Sequence, residues 1–274
     1  MNETLKRSIS GAVYIVLLLF CILFSEQSFF VLFGIFLCLA VFEFCNLVKL
    51  NYYIPIALSL SIYTYFYTLR TSQLYSQEII VLTILTSIFA LYFLFSEKCQ
   101  PTSLLSKAIF LIGYIIFSFV FITKIPFGEK GYNPKIIISI FVLIWTNDTF
   151  AYLVGKSMGK HKLFERISPK KTIEGFLGGL FFAVLAGYLL SKYYFSPTPQ
   201  YSEKSIIIWT STALIVSVFG TLGDLIESKF KRIANVKDSG KIMPGHGGIL
   251  DRLDSVIFAA PFVYLFYQIL YYVS

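Results

Sequence analysis

The sequence predicts an all-α, polytopic integral membrane protein with about nine transmembrane helices, and three observations lead there. The 274 residues are 57% hydrophobic and only 14% charged, with mean hydropathy +0.74, whereas a soluble domain is roughly half apolar and a quarter charged. Apolar runs of about 20 residues, the length that crosses hydrocarbon, recur along the whole chain. These runs are continuous, as from Gly11 to Phe24, and do not alternate as transmembrane β-strands do.

In order, the runs fall near residues 8–24, 29–48, 53–69, 77–96, 104–123, 135–155, 174–192, 205–226 and 254–273. The first follows Lys6 and Arg7 and leads into Ser25-Glu26-Gln27, not into a small-residue cleavage site. It is therefore expected to remain as an anchor. Residues 1–130 read as a lipid-embedded scaffold, because almost all their polar groups lie between the runs. Residues 131–274 hold two polar, basic connections, Lys156–Gly175 and Lys229–Arg252, and read as the functional half. The connection near 195–204 reads as a plain turn. No internal repeat and no soluble domain is visible.

Of the 23 Lys and Arg residues, roughly 17 fall on the side of the N-terminus and roughly six on the other, so the N-terminal side is expected to face the cytoplasm. The compact chain suggests a cell inner membrane. The net charge of +8 suits anionic headgroups, each juxtamembrane cation contributing about 1 kcal/mol. The bilayer, not a nucleic acid, is the expected surface partner. Cys21, Cys38, Cys45 and Cys99 form no CxxC pair and read as packing residues. Trp145, Trp209 and the many tyrosines read as interface anchors.

The charge balance does not account for the acids. Glu43, Asp148, Asp224 and Glu227 lie inside or at the edge of runs, and Asp251 and Asp254 open the last one. Each costs several kcal/mol in a membrane unless it finds a partner, a cavity or an ion. All six fall toward the same side, with no polar route to the other face such as a transporter needs. Asp224 with Glu227 and Asp251 with Asp254 are three apart, which places each pair on one helix face. Crowded carboxylates stay ionised when a cation holds them, and an oxygen-only set favours Mg²⁺. Two histidines and scattered cysteines do not suit zinc.

Just before those acids, Pro244-Gly245-His246-Gly247-Gly248 is a turn through which backbone N–H groups can approach a phosphate at a helix N-terminus. The same turn also reads as a tight re-entry into the membrane. Lys229, Lys231, Arg232, Lys237 and Lys241, with Arg166, Lys170 and Lys171 in the other loop, are positioned to neutralise phosphate oxygens. His246 reads as an acid, a phosphate ligand or a structural histidine holding the turn. His161 reads as a solvated loop residue, and Ser168 and Thr172 as a helix cap or a substrate contact. Acids for a hard cation, bases for phosphates and a glycine turn together point to metal-assisted phosphoryl chemistry at the membrane surface.

The stretch Ser228–Ser255 resembles the signature of phosphatidate cytidylyltransferases in its Ser-x-Phe-Lys-Arg start, Lys237-Asp238, His246-Gly247-Gly248 and Asp251-Arg252-Leu253-Asp254. Met243 replaces the Leu, Ile or Phe more usual there. The resemblance extends upstream through Asn147–Gly179 and Gly220–Ser228. It implies transfer of CMP from CTP to phosphatidate, giving CDP-diacylglycerol and pyrophosphate. It further implies Mg²⁺ on Asp224 and Asp251, with Asp254 and Asp148 nearby, possible use of K⁺, and a homodimer. Lys237, Arg252 and Lys171 are the expected phosphate contacts, with Lys170, Lys231, Arg232, Gly247 and Gly248 as further substrate-binding candidates. A CTP-using lipid kinase, a cation transporter and a non-catalytic scaffold are the other readings.

Overall fold

The computed structural model describes residues 3–69, 76–128, 131–195, 202–245 and 247–273. Among these, nine helical segments follow the expected runs: α1 Glu3–Phe24, α2 Glu26–Leu47, α3 Tyr53–Thr68, α4 Ser76–Phe95, α5 Leu104–Lys124, α6 Pro134–Met158, α7 Ile173–Phe195, α8 Ser202–Ile233 and α9 Leu250–Val273. Seven of them, α2 and α4 to α9, are long and apolar enough to cross a membrane. The apolar part of α1, Ser8–Phe24, is shorter, and α3 has only 16 residues. By length and composition, then, seven spans are supported where nine were expected.

Local sequence explains the breaks. Ser25 stands between α1 and α2 in extended conformation, its side chain and that of Ser28 capping each other's backbone N–H, the reciprocal arrangement that starts a helix. Asn133 caps α6 with Pro134 in the first turn. The middle of α5, Phe110–Ile116, is π-helical, a widened turn that no propensity scale marks. Two short antiparallel hairpins complete the structure: β1 Phe127–Gly128 with β2 Gly131–Tyr132, and β3 Lys162–Phe164 with β4 Ser168–Thr172.

Successive helices alternate in direction, and their ends gather into two sets. Ser10 in α1 donates to the Pro244 carbonyl, and Lys229 of α8 donates to the Ser96 carbonyl just past α4. At the opposite ends the Tyr132 hydroxyl donates to Ile22 and the Tyr63 hydroxyl to Phe30. The first set of ends carries both basic connections.

The two halves share one core. Phe230 of α8 is surrounded by Phe44 of α2, Phe93 of α4 and Phe110 and Tyr114 of α5, with ring centroids 4.7–6.4 Å away. Such aromatic pairs contribute about 0.5–1.5 kcal/mol each beyond area burial. Their position beside Lys229 and Lys231 fixes the end of α8 against the N-terminal helices. Val13, Val16, Phe20 and Leu23 of α1 are exposed and suit lipid contact. Trp209 is not an interface anchor: it is buried and stacks on Phe195, because the end of α7 folds over it.

Candidate active site

Where α6, α7 and α8 meet the β3–β4 hairpin, they enclose a cavity of about 610 Å³. Asp148 and Asn147 enter it from α6, Asp224 and Thr221 from α8, and Lys162, Lys170 and Lys171 from the hairpin, with Lys156 at the end of α6. Close helix packing shapes its wall. A Cβ on Gly175 would lie 2.6 Å from the Ala151 carbonyl oxygen and 3.1 Å from the Gly155 Cα, so only glycine lets α7 approach α6 this closely.

The hairpin is held by specific bonds. Thr172 is the N-cap of α7, its Oγ1 accepting from Gly175 N–H at 3.1 Å, so the capping reading of this residue holds and the residue also lines the cavity. Glu174 does not complete a capping box. It reaches back to accept from Lys160 and His161 N–H and meets His161 Nδ1 at 2.6 Å. His161 is a solvent-exposed loop residue, as expected, and its contact with Glu174 also tethers the basic loop. Arg232 donates from Nε to the Ile167 carbonyl and from its guanidinium to Val236, joining the two polar connections.

Across the cavity Lys171 Nζ meets Asp224 Oδ2 at 2.5 Å, while Ser228 donates to Asp224 Oδ1 at 3.2 Å. Asn147 donates to Asp148 Oδ1 at 3.2 Å. Asp148 lies within Coulombic reach of Asp224, Lys171 and Arg252, and Asp224 within reach of Lys171 and Lys231. Asp254, buried at the start of α9, is within reach of Asp224, Asp148, Lys171 and Lys231.

Lys231 is the centre of the second half of the site. Its ammonium pairs with Glu227 and, at 2.6 Å, with Asp251 Oδ1, and also interacts with Asp224. The other oxygen of Asp251 accepts three bonds of 2.8 Å, from Ser239 N–H, Ser239 Oγ and Gly248 N–H. The turn therefore organises its own amides around a carboxylate, and Gly248 does not present its N–H to open solvent. Gly247 sits in the same turn at φ +88°. Lys237 is exposed on the turn and is not among the cavity-lining residues, and His246 lies outside the described residues. Lys229 points away from the cavity, donating to the Phe93 and Ser96 carbonyls at the end of α4.

Among the described residues no three acids already form a cage for a metal ion. The donor set nonetheless suits Mg²⁺, which keeps several waters and takes one or two carboxylates plus substrate phosphates. The Lys231 ammonium pairs with one oxygen each of Glu227 and Asp251 here, so positive charge already sits among these acids.

A model of the cytidylyltransferase family matches residues 5–270. The chain belongs to that family. Among its relatives are proteins named phosphatidate cytidylyltransferase. That of Staphylococcus aureus strain COL is 46% identical over 150 residues, 55% of this chain and 54% of the relative. That of Staphylococcus epidermidis strain ATCC 12228 is 40% identical over 169 residues, 61% and 58% of the two chains. That of Bacillus subtilis strain 168 is 50% identical over 123 residues, 45% and 44%. In these matches the chain spans about half the length of the curated relatives.

Sequence reasoning named Asp148, Lys170, Lys171 and Asp224 and, through the family resemblance, expected Asp148 near Asp224; all four line one cavity. It missed Asn147 and Glu174. The adjacency of Asn147 to Asp148 was a signal for the first, whereas nothing local distinguishes the second from an ordinary helix-start acid.

Proposed function

We propose that this family member is a CTP:phosphatidate cytidylyltransferase, and one observation carries the proposal: a single cavity at one set of helix ends brings two intramembrane carboxylates together with four lysines. A phosphate-bearing lipid and a nucleoside triphosphate both need cations, and both meet at this depth.

In the proposed reaction a phosphatidate oxygen forms a bond to the α-phosphorus of CTP, the bond from that phosphorus to the bridging oxygen of the β-phosphate breaks, and pyrophosphate leaves. The attacking oxygen is already ionised, so no side chain has to remove a proton. The protein's task is to hold two anions in line and to stabilise charge on the leaving group. Lys171 and Lys170, with Lys156 and Lys162 at the cavity wall, neutralise the phosphates, and Arg252 approaches from α9. Lys171 is kept aimed inward by Asp224. Asn147 orients Asp148, and Asp251 holds the glycine turn and Lys231 in place.

Asp224 and Asp251 would hold Mg²⁺, Asp251 exchanging its Lys231 partner for the ion, with Asp254 and Asp148 nearby. Bound there, the ion would offset phosphate charge and polarise the reacting phosphorus. The excess of basic residues at the site end supports a cytoplasm-facing site in a cell inner membrane, and K⁺ use and a homodimer belong to the same proposal.

The test gives purified protein phosphatidate, Mg²⁺ and CTP labelled on either the α- or the γ-phosphate. Entry of the α-label alone into lipid, lost in Asp224→Asn, is the expected result. Entry of the γ-label means a kinase, and entry of neither overturns the enzyme assignment.

A further inference from the structure

Glu43, like Glu227, is an acid inside or at the edge of the apolar runs to which the proposed chemistry gives no direct part. It lies in α2, within the apolar stretch Ala40–Leu47, and is only 1% exposed. A carboxylate so placed costs several kcal/mol unless its oxygens are satisfied.

They are satisfied from the other end of the chain. Glu43 Oε1 accepts from Ile249 N–H at 3.0 Å, and Oε2 accepts from Leu250 N–H at 2.8 Å and from Ser239 Oγ at 3.0 Å. Ile249 and Leu250 supply orphan amides at the start of α9, of the kind normally filled by a side chain two or three residues earlier. Here the cap comes from a residue 206 positions earlier. The surrounding backbone is shaped to this carboxylate: a Cβ on Gly240 would collide with its Oε1, and one on Gly248 with its Oε2.

The same serine joins this cap to the site. Ser239 Oγ lies 3.0 Å from Glu43 Oε2 and 2.8 Å from Asp251 Oδ2, and Gly248 N–H donates to that Asp251 oxygen. One hydroxyl carries one proton, so the two carboxylates share a donor and their positions are linked. Asp251 is also the partner of Lys231.

We infer that Glu43 is a positioning residue: from the N-terminal half it caps the last helix in trans and, through Ser239, fixes the turn 237–250 and the Asp251 carboxylate for the reaction. The fold-anchoring part stands on the hydrogen bonds alone; the effect on catalysis rests on the cytidylyl-transfer reading. A short acid at residue 247 could accept from the same two amides, but it would leave the turn free to move relative to α2. Capping from α2 ties it to the membrane-embedded helices.

The experiment uses full-length protein in nanodiscs and two readouts. Hydrogen exchange at the Ile249 and Leu250 amides should quicken about tenfold in Glu43→Gln, since replacing one accepting oxygen by NH₂ costs about the worth of a helix cap. In the α-label assay, kcat should fall about tenfold or more, with the melting temperature of the helical bundle nearly unchanged. Gly240→Ala, which crowds the same carboxylate from the opposite side, should reproduce the loss. Ser239→Ala should reduce kcat strongly in the wild-type background and much less in Glu43→Gln, because the hydroxyl then has no linked pair to bridge. Unchanged exchange at both amides, or fully additive losses for the two substitutions, would overturn the inference. If wild-type protein transfers no label, the cytidylyl-transfer reading falls while the exchange data still decide whether Glu43 anchors α9.

Discussion

Replacing Lys171 by Met tests the charge arrangement of the cavity most directly, because the substitution keeps the length of the side chain and removes its ammonium. Lys171 and Asp224 are 28% and 33% exposed, and meet at 2.5 Å. Exposed ion pairs are worth about 0–1 kcal/mol, whereas rupture of a fully buried pair costs about 3–5 kcal/mol. A pair one-third open to water belongs between these, near about 1–2 kcal/mol of fold stability. Catalysis should suffer more. A donor aimed at charge that develops in the transition state is worth about 2.7–4 kcal/mol, or 10²–10³ in kcat. Lys170, its neighbour, is exposed at the cavity wall, and an exposed cation contributes about 0.2–1 kcal/mol, at most about fivefold. The assay is steady-state transfer of α-labelled CMP to phosphatidate in mixed micelles for Lys171→Met and Lys170→Met side by side. Equal losses for the two, or a Lys171→Met enzyme within tenfold of wild type, would refute the placement of Lys171 at the reacting phosphates.

Gly175→Ala forces a methyl group against the Ala151 carbonyl and should lower stability by about 1–3 kcal/mol, seen as a lower unfolding temperature in detergent together with lost activity. Lys229→Met strips the end of α4 of its donor to Phe93 and Ser96 and should lower the unfolding temperature while the folded fraction keeps its turnover. Glu174→Gln loosens the tether of Lys160 and His161 and should raise KM for CTP several-fold with little change in kcat. Removal of divalent cations by EDTA should abolish transfer without unfolding the protein, and added Mg²⁺ should restore it; activity that persists without divalent cation would remove the metal from the proposal.

The helices were legible because hydrocarbon thickness imposes one length on every apolar run, and each observed helix overlaps an expected run. Their polar extensions were not: α8 continues to Ile233, seven residues beyond the apolar run that ends near 226, because Lys229 and Lys231 are satisfied by partners and not by solvent. Asp148, Lys171 and Asp224 were each visible as costly or motif-borne charges, yet their meeting depends on the glycine-mediated approach of α7 to α6. Glu43 was visible only as an anomaly. Its partners are backbone amides, which carry no residue identity for a sequence to display. The expected phosphate contacts at Gly248 were drawn from turn chemistry alone, and the turn's amides instead meet Asp251 and Glu43.

The length of α8 has a further meaning for the lipid. Its 32 residues make a rod of about 48 Å, whereas the hydrocarbon layer is about 30 Å thick. The surplus belongs at the basic end, where Lys229, Lys231 and Arg232 cannot rest among acyl chains. Asp224 lies nine residues before Ile233, about 13 Å from that tip, and so falls within that surplus. In the proposed reaction, a phosphatidate molecule would present its headgroup by sliding sideways, its tails still dissolved in the leaflet, and the lipid product would depart along the same plane without being lifted into water.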